Sequence, residues 1–487
     1  MEVNKIKRKP SEFSRFIVAD LDGRTWDIEP SNFDVCKIFL DTDDQPVYGK
    51  LRQFVENELS TKTDTGIMPK HVTYMKDHDL LDYCEVSEKG HFRWFPKGVL
   101  LQRLILDYAA NLAREWGAIE MKNPIIIKGD HNLIGQLMGE FHERDYSVDG
   151  GRGVCYLRYA SDPLAFPFMQ KMRFKQKHSP LKVYEEADCF RNEQDGEVSG
   201  LKRVRGFTMT DMHAACSSEE EAKKQFWQLC LKFGDLMNAI TREGRWVLGW
   251  EGTIDFYEKK KDWLLSIGKE MKVPAFFKLM QSMSHYYVIK NEYQFINQDR
   301  SNVQVSTVQW DIKDGQRFNI GYTDENDKVH PCPVIIHASS FGSIERALCA
   351  ILENIALDIE QNITSGFPFW LAPTQVRLIP VADTYLEDCL QVSQELSQNN
   401  IRADIDDRDA TVGKKIRNGE LEWIPYLLVI GEQEQTSGKL SIRNRESKNQ
   451  YVMPKEELIS EITMKMKGKP FQFLTLPKLI SSRPVFI

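Results

Sequence analysis

The sequence predicts an α+β protein: an antiparallel sheet flanked by helices, followed by a smaller C-terminal α/β domain. Two patterns carry this. Residues 186–213 hold two alternating runs, Glu-Ala-Asp-Cys-Phe-Arg-Asn-Glu and, from Leu201, Leu-Lys-Arg-Val-Arg-Gly-Phe-Thr-Met-Thr-Asp-Met-His. A polar turn around Asp195-Gly196 joins them, which is the signature of an antiparallel hairpin. From residue 374 the pattern alternates differently, as strand 374–381, helix 384–399, strand 401–405, helix 411–419 and strand 426–430. That is an α/β unit with a mixed sheet, and Pro368-Phe369-Trp370-Leu371-Ala372-Pro373 marks the boundary before it.

The chain of 487 residues is too long for one ordinary core, and 41% hydrophobic residues suit a globular fold. A net charge of -7 provides no general field for a polyanion, so any RNA contact must use local basic patches. Lys171, Arg173, Lys175, Lys177 and His178 form one, and Arg443, Arg445 and Lys448 another; either also serves as a solvated face. The 9 cysteines are odd in number and include no Cys-x-x-Cys, which points to a reducing compartment and away from a disulfide framework or zinc ribbon. The charged N-terminus lacks an apolar core and no run reaches membrane-spanning length, so a cytosolic protein with no membrane contact is expected.

In chain order, residues 1–67 read as an appendage: a basic start, a strand and turn at Phe16-Ile17-Val18-Ala19-Asp20-Leu21-Asp22-Gly23, and a polar linker over 61–66. Apolar residues at helical spacing predict a helix over 94–117, running into a strand that Pro124 terminates. A strand over 156–160 precedes Ser161-Asp162-Pro163, where either Ser161 or Asp162 would cap an apolar helix. Residues 219–242 read as a core helix. The strand at 303–312 places Gln309 and Asp311 on one face and Gln304 on the other if regular, so a bulge is needed to turn both glutamines inward. A buried strand over 333–337 ends in His337 and leads through Phe341-Gly342-Ser343-Ile344-Glu345-Arg346 to a helix from Ala347. Gly342 allows close backbone approach to a ligand, and Arg346 in the first turn reaches an anion. The expected domains are 1–67, 68–366 and 367–487.

The hairpin is where the chemistry concentrates. Arg191, Arg203, Arg205, Glu193, Phe207 and the pair Asp211/His213 are too polar for a buried face unless something charged lies on it. A nucleoside triphosphate fits, since guanidinium forks match phosphate oxygens and an aromatic ring receives a purine. A solvated hairpin explains a lone Arg-x-Glu but not the second cluster.

Phe190-Arg191-Asn192-Glu193 and Arg203-Val204-Arg205-Gly206-Phe207-Thr208 together resemble motif 2 of the class II aminoacyl-tRNA synthetases, with a spelling closest to the threonyl-tRNA synthetase family. The likeness runs from about residue 68 to the C-terminus. Residues 94–126 resemble motif 1, the dimer-interface element, and 333–355 resemble motif 3. Gly413-Lys414-Lys415-Ile416-Arg417 and the strands after it resemble the family's anticodon-binding domain. The resemblance implies a ligase that activates threonine with ATP and Mg2+ and charges tRNA(Thr). Arg191 and Arg346 would be catalytic, on the α- and γ-phosphates, with Glu193, Arg203, Phe207 and Gln304 binding ATP. Asp211, Gln309 and Ser343 would contact the amino acid, and Glu434 and Arg443 the anticodon; the resemblance leaves open whether His142 acts in acyl transfer.

The family's zinc is held by Cys, His and His; here His213 and His337 match the histidines, while Asp162 stands in the cysteine position. A carboxylate with two imidazoles keeps three ligands and the same formal charge, but also suits iron or manganese. A metal-free site, with Asp162 on the substrate ammonium, is the alternative. The resemblance further implies a homodimer. Residues 1–67 are short for the family's proofreading domain, which implies a separate editing protein. Two other readings stand beside the ligase: a paralogue with altered amino-acid choice, and a retired synthetase-like binding protein.

Overall fold

The computed structural model describes residues 13–39, 46–59, 68–131, 144–151, 153–283 and 286–486. The basic start, the linker over 61–66 and His142 lie outside the described residues. The chain forms two compact units, residues 1–67 with 112–350, and residues 68–111 with 351–487.

The first unit is built on ten strands: β1 (Phe13–Ala19), β2 (Thr25–Ile28), β3 (Ile119–Met121), β4 (Leu181–Phe190), β5 (Gly206–Cys216), β6 (Trp246–Thr253), β7 (Ala275–Met280), β8 (Tyr287–Ile296), β9 (Asn302–Asp311) and β10 (Val334–Ser339). Their order is β2-β1-β7-β6-β8-β9-β10-β5-β4-β3. All neighbours are antiparallel except β3 with β4 and β6 with β7. The expected appendage is therefore revised. β1 pairs with β7 from Phe16↔Lys278 to Ala19↔Ala275, so the N-terminal segment extends the central sheet. Helix α1 (Pro46–Leu59) locks it there, with Leu51, Phe54 and Val55 packed among Val18, Val247 and Phe276.

Helix α2 (Pro96–Trp116) falls where its periodicity placed it. Helix α3 (Asp162–Gln170) starts as expected but is not capped as expected. The Ser161 hydroxyl donates instead to Glu185 Oε2 at 2.7 Å, and the Asp162 carboxylate turns to two imidazoles. Helix α4 (Glu219–Ile240) is capped by Ser218, whose hydroxyl accepts from Glu221 N, and buries Phe226, Leu229, Phe233 and Met237 along one stripe. Helix α5 (Ile254–Met271) follows β6, and helix α6 (Ile344–Glu360) follows β10.

The hairpin strands are shorter than the alternating runs suggested, ending at Phe190 and resuming at Gly206. The ladder closes with Arg191 N donating to Arg205 O at 2.8 Å, and the Arg205 side chain then donates to Glu193 O at 2.8 Å. Arg191, Glu193 and Arg203 thus sit on a braced loop rather than on strands. The bulge in β9 is present: Glu292 pairs with Thr307 but Gln294 with Gln304, so one extra residue of β9 lies between them.

In the second unit Val376–Pro380 is flanked by the parallel strands Ala403–Ile405 and Tyr426–Ile430, and Lys439–Asn444 and Gln450–Pro454 continue the sheet antiparallel. The mixed sheet expected from the alternation is realised, with helices at Leu386–Gln398 and Val412–Leu421. Among the described residues no helix is long and apolar enough to cross a membrane.

His78 lies in this unit with its ring against Trp423, centroids 3.6 Å apart. Burial, then the charge of Lys97, lowers its pKa to about 4. The unfolded chain accepts a proton that the folded chain refuses. Stability is therefore full above pH ~6.5 and falls as pH drops toward 4, by up to roughly 3 kcal/mol. Unfolding followed by tryptophan fluorescence from pH 4 to 7 should show this slope, and His78→Gln should flatten it.

Candidate active site

The face of β4, β5, β8, β9 and β10 carries a cavity of about 260 Å³, lined by Arg191, Glu193, Arg203, Phe207, Lys290, Gln304, Thr307, Gln309, Ser343 and Arg346 among others. The residues expected around a nucleotide are thus brought together. Arg191 donates from Nε to Tyr159 O at 3.1 Å, with its guanidinium 5.1 Å from the Phe207 ring centre. Arg203 bonds Glu193 at 2.8 Å, and Arg144 reaches the same oxygen at 3.3 Å. Arg346 is set by the start of α6, where its backbone N–H donates to Ser343 Oγ at 3.2 Å, and its Nε donates to Lys202 O at 3.2 Å.

Burial, followed by the like charges of Arg191 and Arg203, pulls the Arg346 guanidinium down to about 10. Cations crowded this way make a seat for an anion. Gly342 also lines the cavity, and its φ of +66, with a Cβ that would lie 2.3 Å from Val305 O, lets this loop pack directly on β9.

Beside this cleft, His213 on β5 and His337 on β10 are direct cross-strand partners, and the first residue of α3 brings Asp162 to both. Asp162 Oδ1 lies 3.0 Å from His213 Nε2 and 3.1 Å from His337 Nδ1. The other His337 nitrogen is 2.9 Å from Asp311 Oδ2, and Asp311 Oδ1 accepts the backbone N–H groups of Lys313 and Asp314 at 2.6 and 3.1 Å. Carboxylates only accept, so both nitrogens of His337 carry protons in this arrangement, and Nδ1 would have to release its proton to bind a metal. Burial opposes that charge, yet Asp162 and Asp311 outweigh it and raise its pKa to about 10. Asp162 responds in kind: despite burial, the two imidazoles hold it well below the carboxylate range. Asp211 is pushed to about 7 by burial, with His213 opposing and Asp162 adding to the rise. Tyr286 stacks on His337 at 4.8 Å and donates its hydroxyl to Gln309 Oε1 at 2.6 Å.

These residues fit a metal ion. The three ligand atoms lie within 4.8 Å of one another, and the 3.0 and 3.1 Å separations approach the edge of a tetrahedron with bonds of about 2.0–2.1 Å. Asp311 is the outer carboxylate that such a histidine needs to fix its orientation. His213 Nδ1, buried with no hydrogen-bond partner, is the least satisfied point. None of the 9 free cysteines lines the cleft or belongs to the triad.

Sequence reasoning missed Lys290, Tyr286 and the buried pair Arg158–Glu185, whose 2.7 Å bond underlies the Ser161 contact. In the second unit Glu434 lines a groove of about 480 Å³, but its carboxylate accepts from Gly431 N at 3.0 Å and from the Ser441 hydroxyl. Arg443 is not among that groove's lining residues and bonds Glu420 at 2.6 Å.

Residues 155–355 match the tRNA synthetase class II core domain (G, H, P, S and T), and residues 375–465 match an anticodon binding domain. The threonine–tRNA ligase of Methanobrevibacter smithii is 37% identical over 97% of this chain and 78% of its own length. The chain belongs to the threonine–tRNA ligase family. Other threonine–tRNA ligases agree: that of Methanococcus aeolicus is 38% identical over 90% of this chain and 71% of its own, and that of Pyrococcus horikoshii 36% over 92% and 72%. A structure titled the RNA binding domain of threonyl-tRNA synthetase from Cryptosporidium parvum superposes with a TM-score of 0.70 and 23% identity, covering 81% of this chain and 98% of that one. A prolyl-tRNA synthetase from the same organism gives 0.62 and 16%, covering 82% and 74%. At these identities the two structures speak for the fold alone.

Proposed function

We propose that this chain is a threonine–tRNA ligase that forms threonyl-adenylate from threonine and ATP and passes the acyl group to tRNA(Thr). The observation that carries this reading is the Asp162–His213–His337 cluster beside an arginine-lined cleft. In the first step a threonine carboxylate oxygen attacks the α-phosphorus, the bond to the β-phosphate oxygen breaks, and pyrophosphate leaves. In the second, a hydroxyl of the terminal ribose attacks the acyl carbon and AMP leaves. No protein nucleophile is needed, so the work is orientation and charge stabilisation.

Arg191 would hold the α-phosphate and Arg346 the γ-phosphate. Phe207 would carry adenine on the face opposite Arg191, with Glu193 at its amino edge, Arg203 bracing Glu193, and Gln304 at the ribose. Mg2+ would enter with ATP. Asp162, His213 and His337 would hold a metal ion, zinc by family likeness, which supplies an electrophilic seat for the threonine amino and hydroxyl groups. Asp211, Gln309 and Ser343 would close the amino-acid side. Glu434 and Arg443 would face the anticodon, Arg443 by exchanging Glu420 for a base edge. A homodimer through α2 and β3 is supported by Ile119, 53% exposed on the outermost strand.

ATP–pyrophosphate exchange scanned over the amino acids tests the reading. Threonine should respond, valine should fail because it leaves the polar seat unpaired, and serine should respond about 10–200-fold less well than threonine. Response to another amino acid would favour an altered paralogue, and no response a retired binding protein. Against retirement, every arginine the reaction needs still faces the cleft. The seryl product that escapes is assigned to a separate hydrolytic protein; undetectable seryl-tRNA in a reconstituted reaction would count against that.

A further inference from the structure

We propose that helix α1, in the N-terminal segment, is a positioning element for the nucleotide cleft and acts through Lys290. The proposal rests on reading the cleft as the ATP site. Lys290 on β8 lines it beside Gln304, Thr307 and Arg346. Two carboxylates face its ammonium: Glu292 Oε1 bonds it at 2.5 Å, and Glu251 Oε2 lies 3.8 Å away as an ion pair without a hydrogen bond. Each of them is tied, by its own route, to the last turn of α1.

On the first route Glu251 bonds Lys278 Nζ at 2.6 Å, and the same ammonium bonds Glu58 of α1 at 2.6 Å. On the second, Glu292 accepts from Gln294 at 2.9 Å, Gln294 accepts from Asn302 at 2.8 Å, and Asn302 Oδ1 accepts from Asn57 of α1 at 3.2 Å. Consecutive residues of one helical turn thus end two polar chains that converge on one lysine. Lys278, Glu292, Gln294 and Asn302 are buried, and in such surroundings polar chains of this kind restrain their members.

Anchoring α1 does not require this. Leu51, Phe54 and Val55 already bury it in the sheet's core, and buried ion pairs add little net stability against an apolar alternative. What the network does supply is a fixed place for a cation on a flexible four-carbon stem at the wall of an anion-binding cleft, where an error of about 1 Å is costly. Glu58 and Asn57 are therefore positioning residues, and Lys290 the group that faces substrate.

The test is a double-mutant cycle in the full chain, read as steady-state ATP–pyrophosphate exchange with threonine. Lys290→Met should lower kcat/KM for ATP about 100-fold, with Lys290→Arg recovering part. Glu58→Gln should lower it about 10-fold, raising KM for ATP and leaving KM for threonine unchanged. The double variant should match Lys290→Met alone, because residues acting through one group are not additive. Multiplying effects overturn the proposal, as does a Glu58→Gln enzyme with a lower Tm and unaltered kinetics per folded molecule. Should Glu58→Gln not fold, Asn57→Ser probes the second route with the same expectations. A wild-type chain without threonine-dependent exchange overturns the reading of the cleft and this proposal with it; an active wild type with additive effects overturns this proposal only.

Discussion

Arg191→Ala is expected to slow threonine-dependent ATP–pyrophosphate exchange by about 10²–10³-fold, with kcat falling more than KM for ATP rises. The backbone at Arg191 is pinned by Arg205 O and its Nε by Tyr159 O, which leaves the outer edge of the guanidinium for the phosphorus at which charge develops. Among the described residues no carboxylate pairs with it, the nearby Glu193 being taken by Arg203, so the variant should lose little folding stability while losing rate. Arg191→Lys should recover only a fraction, since an ammonium lacks the fork that spans two oxygens. Exchange within a factor of a few of wild type would remove Arg191 from the reaction.

Asp162→Ala should strip the amino-acid site. It removes the one anionic ligand and the acceptor shared by His213 and His337, leaving two imidazoles as too few ligands to hold the ion. Metal bound per chain, measured after dialysis against metal-free buffer, should fall to background. Threonine activation should fall by about 10³-fold or more, whereas ATP affinity should hold because the cleft's arginines are untouched. Asp162→Cys should keep the metal and shift its preference toward zinc. If the wild-type chain itself retains no metal but Asp162→Ala still abolishes activation, the carboxylate pairs with the substrate ammonium instead. A variant that keeps both metal and threonine kinetics would show that the cluster is merely structural.

Much of this site could be read in the chain because its residues are unusual where they stand. Three arginines in a run that otherwise reads as a hairpin demand a charged ligand, whereas Asp162 was reached only through the resemblance, by aligning the family's cysteine position without gaps back from Arg191. The bulge in β9 followed from the same logic, since only an extra residue lets Gln304 and Gln309 share a face. Lys290 gave no such signal. A lysine in an alternating strand reads as a solvated face, and only the fold brings Glu251 and Glu292 against it. The pairing of β1 with β7 was equally hidden, because its partners lie more than 250 residues apart and each run is satisfied by any apolar edge. Ser161 looked like a cap because serine before a helix usually is one; a buried glutamate competing for the hydroxyl is a tertiary fact.

The aspartate at the head of α3 has one more effect. Oxidants attack a metal site through thiolate, converting it to sulfenic and then sulfinic acid and releasing the ion. A carboxylate offers no such foothold, and the thiol nearest in sequence to the hairpin arginines, Cys189, is buried with its pKa pushed up to about 12. A metal held by Asp162, His213 and His337, as proposed above, would therefore lack the thiolate through which peroxide releases an ion.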